Sequence, residues 1–142
     1  MKASPSHIAS FAVGVLLTLG VVSIGKSQAQ SPNHTYELRI YHAMPGKLAA
    51  LQQRFRNDTI RIFDRLNMKS VGYWVPQDAP DSDNLLIYVL EHPSRQAAEK
   101  NWNTFNADPE WLKAKAASET NGKLVDHVDS YYMNPTDYSK IK

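Results

Sequence analysis

The stretch LLIYVLEH, Leu85 to His92, is apolar on both of its alternating faces. Read as a strand, Leu85, Ile87 and Val89 point one way and Leu86, Tyr88 and Leu90 point the other. A strand that is apolar on both sides is covered on both sides. This one therefore belongs in the middle of a sheet, and the rest of the chain has to supply its neighbours and its two covers.

Working upstream, the polar loop PQDAPDSDN (76–84) joins this strand to a shorter one, Ser70–Val75. Before that, Leu48, Leu51, Phe55, Thr59, Ile62 and Leu66 recur in steps of three and four. That spacing predicts one buried face of a helix over Lys47–Leu66, about five turns long. Arg54, Arg56, Asp58, Arg61 and Arg65 fall largely on its other side. Pro45-Gly46 separates the helix from a strand at Thr35–Ala43. Downstream, Ser94 can cap a helix that carries Ala98, Trp102 and Phe105 inward. Asp108-Pro109-Glu110 reads as a second helix start: a cap, a proline at the first helical position and an acid suited to the dipole. A last strand follows at Leu124–Met133, then a polar tail.

The order is β-α-β-β-α-β with the second helix broken in two. This is an α+β chain of the ferredoxin-like kind, an antiparallel sheet with both helices on one face. Helices on one face leave the other open, and an open apolar sheet face is an association site. The simplest cover is the same face of a second copy related by a two-fold axis. A homodimer enclosing a space between two sheets is expected.

The first strand then poses a choice of face. Tyr36, Leu38 and Ile40 are read as core, so Glu37, Arg39 and Tyr41 are expected to look into the space between the sheets. Glu37 and Arg39 there either form a charge network that fixes dimer register, or Arg39 with a neighbouring aromatic orients an anionic or carbonyl-bearing small molecule.

The N-terminus reads separately. An apolar run from Ile8 to Ile24 follows Lys2 and precedes Lys26, and Ser27-Gln28-Ala29 resembles a signal-peptidase site. Residues 1–29 are expected to be a secretory signal, residues 8–24 an N-terminal membrane anchor in the alternative, residues 30–34 a linker, 35–139 the domain and 140–142 a tail. Either reading puts the domain outside the cytoplasm, exported to a periplasm or secreted. Without residues 1–29 the chain has 14 basic and 14 acidic residues. That balance gives no argument for a nucleic-acid partner, and for a membrane only through the uncleaved leader. The absence of cysteine excludes disulfides, thiol catalysis and thiolate metal sites.

The segments YELRIY (36–41), PGK (45–47), VGYW (71–74), LEH (90–92), DPEW (108–111) and NPTDYS (134–139) occur in that order. Together they closely resemble the NIPSNAP domain over about Thr35 to Ser139. The resemblance implies a ferredoxin-like domain that pairs into a dimeric α+β barrel. It implies no settled enzymatic activity and no catalytic residue. Barrels of this architecture also serve cofactor-free monooxygenases and small isomerases, a fold-level analogy that supplies the alternative function: an enzyme acting on a small aromatic or carbonyl compound.

Among the histidines, His34 is expected to be solvated. His42 and His92 end two strands read as parallel neighbours and are placed at one end of the sheet. With Glu91 they would make a metal site, but no helical His motif strengthens it, so no metal and no cofactor is expected. His127 and Asp129 share a strand face, the arrangement of a base oriented by an acid. Asp126 and His127 alternate faces and are expected not to bond. No nucleophile is evident, Ser70 and Ser130 lacking any elbow motif. The candidate cavity residues are therefore Glu37, Arg39, Tyr41, Trp74, Tyr88, His127 and Asp129.

Overall fold

The computed structural model describes residues 34–141. The readings of residues 1–29 and of the linker as far as residue 33 lie outside them. Four strands, β1 (Thr35–Ala43), β2 (Lys69–Trp74), β3 (Leu85–His92) and β4 (Val125–Met133), form one sheet in the order β2-β3-β1-β4. Every neighbouring pair is antiparallel. Helices α1 (Leu48–Arg54) and α2 (Ile60–Arg65) follow β1, and α3 (Arg95–Ala107) and α4 (Pro109–Ser118) follow β3. This is the expected ferredoxin-like arrangement. No described helix is long and apolar enough to cross a membrane.

Three expectations are corrected. The crossover lays β2 parallel to β1, and the hairpin returns β3 antiparallel to both. Thr35 thus faces His92 and His42 faces Leu85, so His42 and His92 lie at opposite ends of the sheet.

The Lys47–Leu66 helix contains a π segment, Phe55–Thr59, between α1 and α2. Arg54, the last residue of α1 and three after Leu51, is buried rather than outward, and Thr59 Oγ1 donates to its carbonyl at 3.4 Å.

The faces of β1 are reversed. Glu37, Arg39 and Tyr41 stand opposite Leu90, Tyr88 and Leu86, all buried under the helices. Tyr36, Leu38 and Ile40 share the outer face with Leu85, Ile87 and Val89.

The core lies between sheet and helices. Leu51, Phe55, Ile62, Phe63 and Phe105 from the helices meet Leu86, Tyr88 and Leu90 of β3. Two caps from the sequence are in place. Ser94 accepts from the Ala97 N–H, and Asp108 accepts from the N–H groups of Glu110 and Trp111. On the outer face Trp74 and Tyr131 remain 51% and 55% exposed. The chain after β4 runs beside that face, where Tyr36, Met133, Pro135 and Ile141 line a common groove of about 370 Å³. Tyr36 itself is buried.

Candidate functional site

Glu37 is fully buried near one end of β1. A carboxylate there is costly unless its lone pairs are used. Four side chains use them. Arg39 Nη1 and Ser130 Oγ each donate to Oε1 at 2.8 Å. Trp102 Nε1 donates to Oε2 at 2.6 Å, and His92 Nε2 lies 3.1 Å from the same oxygen. A carboxylate only accepts, so His92 carries its hydrogen on Nε2.

Strand register explains the convergence. Glu37 faces Leu90 on β3 and Tyr132 on β4, and His92 and Ser130 are each two residues further along on the same face. Burial pushes the Glu37 carboxyl up, but the bonds from His92, Trp102 and Arg39 overcome it and hold it down at about 2. An acid held ionised this firmly is a poor proton carrier near neutral pH. Its role is to fix α3, β3 and β4 to β1. The charge network expected from Glu37 and Arg39 exists, but inside one chain and under its helices.

Arg39 lies at the edge of this network. Its guanidinium carbon sits 4.1 Å from the Trp102 ring centroid and 5.6 Å from that of Tyr41. Burial works against its charge, and the Tyr88, Tyr41 and Glu37 oxygens more than reverse the effect. Nε is buried without a hydrogen-bond partner, as is the Tyr88 hydroxyl. Burial pushes the Tyr88 phenol well up, so it stays neutral. Arg39 lines an open cleft of about 490 Å³ with Tyr41, Trp102, Trp111, Asn103 and Tyr132. Arg95 of α3 stacks on the Tyr132 ring at 3.5 Å.

The seven sequence candidates divide between the two faces of the sheet. Glu37, Arg39, Tyr41 and Tyr88 face the helices. Trp74, His127 and Asp129 belong to the outer face, His127 opposite His42 and Asp129 opposite Ile40. His127 and Asp129 do not form the expected pair. His127 Nδ1 bonds Asp126 Oδ2 at 2.8 Å, and Asp129 Oδ2 bonds His42 Nε2 at 3.0 Å. The Asp126–His127 bond, unexpected for strict alternation, arises because the register shifts here: Ala43 faces Val125 while His42 faces His127, so Asp126 is the extra residue of a bulge.

His92 is a buried partner of Glu37. His34 is paired with Glu91, Nδ1 to Oε1 at 3.0 Å. Trp102 and Trp111 pack against the core cluster and also wall the cleft. The available signal was the indole N–H of Trp102, which needs an acceptor when it is turned inward.

A model of the NIPSNAP family matches residues 36–140. Among solved structures, the chain is similar to a NIPSNAP family protein with unknown function from Agrobacterium tumefaciens, at 20% identity and a TM-score of 0.67 over 80% of this chain and 97% of that one. A second NIPSNAP family protein from the same organism gives 20% identity and 0.68 over 80% and 95%. An uncharacterized NIPSNAP-like domain protein from Burkholderia xenovorans gives 18% and 0.65 over 77% and 90%. At these identities the likeness concerns the fold. A comparison with curated proteins finds no match.

Proposed function

The chain belongs to the NIPSNAP family, and from that premise we propose that it works as a homodimer that binds a small planar molecule bearing a carbonyl or carboxylate. The observation that carries the binding reading is Arg39. Its cationic fork is fixed on the Trp102 ring at the foot of an aromatic cleft, with one N–H given to Glu37 and a buried Nε without a partner. A guanidinium has five N–H donors in a planar array, suited to a planar oxygen-bearing group. Asn103 and Asn106 add amides to the cleft wall. The ionised Glu37 offsets the Arg39 charge, which suits a carbonyl or a single carboxylate better than a polyanion.

Dimer formation is supported by the outer sheet face, where Val71, Trp74, Tyr131 and Met133 are exposed. Two copies of one apolar face are self-complementary about a two-fold axis. The leader-like run Ile8–Ile24 supports export of the chain.

Native mass spectrometry of protein purified gently from the exported fraction tests both parts. The expected species is twice the chain mass with a fixed added mass per chain. Trp74→Glu should give a monomer with an unchanged circular dichroism spectrum. Arg39→Lys keeps the charge beside Glu37 but shortens the fork. It should leave the dimer intact and weaken ligand binding by about 1.5–3 kcal/mol, the scale of a hydrogen bond to a charged group. A wild-type monomer at micromolar concentration would end the dimer reading. A bare dimer, with no binder among aromatic acids and ketones, would end the ligand reading.

A further inference from the structure

On the outer face, at the end of the sheet away from Glu37, we infer a site for a divalent first-row transition-metal ion formed by His42, His127 and Asp129. Each brings a ligand atom to within 4.8 Å of the other two. The three come from the paired strands β1 and β4. His42 and His127 are directly opposite, with rings stacked at 3.9 Å and 15°. Asp129 follows His127 by two residues on the same face and touches His42 at 3.0 Å. A four-coordinate ion with bonds of about 2.1 Å holds its ligand atoms roughly 3.4 Å apart. Rotations of the side chains close that gap while the backbone keeps its register.

The second observation is Asp126. At the bulge its carboxylate turns to the same side as His127 and takes the Nδ1 hydrogen at 2.8 Å. That fixes the tautomer and leaves Nε2 as the nitrogen for an ion, the carboxylate–histidine pairing that metal-binding imidazoles use. A bulge beside a site re-aims one side chain in this way. Two imidazoles and one carboxylate favour zinc, iron, cobalt or nickel over magnesium or calcium. Three protein ligands also leave positions for water or a bound molecule. Asp129 and His127 are both partly exposed, so an ion has an open path in. Sequence spacing missed the site because its ligands come from strands about 85 residues apart, and because His42 was placed beside His92.

The test uses the full chain without a histidine tag, cleared with a chelator and titrated with Co²⁺ and Zn²⁺ at neutral pH. Expected is one ion per chain with micromolar or tighter affinity, read by calorimetry and by the visible absorption of bound Co²⁺. His42→Ala should abolish the absorption. Asp126→Asn should keep the stoichiometry and weaken binding roughly ten- to a hundredfold, the scale of losing such a partner. His34→Ala, at a different end of the sheet, should change nothing. Absence of binding at tenfold excess of metal would overturn the assignment. So would Co²⁺ absorption that persists in the His42→Ala, His127→Ala double variant with its circular dichroism intact.

Discussion

Glu37 shows how a charge can sit at the centre of a small domain. Both oxygens are used twice, by donors from β1, β3, β4 and α3. Removing the charge leaves Arg39 without its counter-ion, so Glu37→Gln should destabilise the fold by about 3 kcal/mol or more, seen as a lower urea midpoint. The pH dependence has a defined sign. Folding lowers the Glu37 pKa from the ordinary 4.5 to about 2. The unfolded chain therefore binds the proton more readily in acid. Stability from this group is fully present above pH ~4.5 and is lost as pH falls toward ~2, on the order of 3 kcal/mol in all. Asp108, Glu110 and Asp126 are lowered as well, so the whole acid loss is shared. The difference between wild type and Glu37→Gln isolates the term. That difference should shrink across this window, and a constant difference would contradict the assignment. The residue pair itself was legible in the sequence. Its direction was not, because a charged strand face reads as an outer face, whereas four donors make a carboxylate acceptable inside.

The strands and caps were read closely, and for a reason. β1 and β3 are bounded by Pro45-Gly46, Asn84 and Pro93, residues that stop strands through backbone chemistry alone. Ser94 and Asp108 cap helices through contacts within four residues. Ser94→Ala should cost about 1 kcal/mol in chemical unfolding, with amide exchange accelerated first in the opening turn of α3. An unchanged midpoint would show that Ser94 contributes no net capping energy. The π segment was not legible. A 3.6-residue period absorbs one extra residue without an obvious break, since Phe55 and Thr59 still fall inward. Just before the π segment stands Arg54, buried although the pattern reads it as outward. There it donates to Glu119 Oε1 at 3.0 Å and lies 5.1 Å from the Trp111 ring. That contact ties the first helical segment to α4 and props one wall of the Arg39 cleft. The bulge at Asp126 is likewise a one-residue event that alternation rules do not register.

At the scale of the molecule, the sheet divides two kinds of chemistry. The helix side holds the buried carboxylate and the aromatic cleft, and the outer side holds the apolar face and the His42 cluster. That one face would stay uncovered was legible from LLIYVLEH, since two helices cannot cover both. Which face was not, because the first strand is aromatic on each side. The segment after β4 shares a groove on the outer face with Tyr36, Val71 and Val89. Ending the chain at Met133 should expose Tyr36 and lower the concentration at which the protein stays soluble. If a truncated protein matched the full chain in light scattering up to millimolar concentration, that shielding would be unimportant.

The path of this segment also bears on how the protein can be handled. Residues 135 and 141 both line the groove on the outer sheet face. A reporter or affinity peptide fused to the C-terminus therefore starts out on the surface that would meet a second copy. A fusion ahead of Thr35 enters at the end of β1 that faces His92, next to Tyr36 of the same groove. If the chain pairs through this face as proposed, removing a C-terminal tag should strengthen pairing, which light scattering before and after cleavage would read.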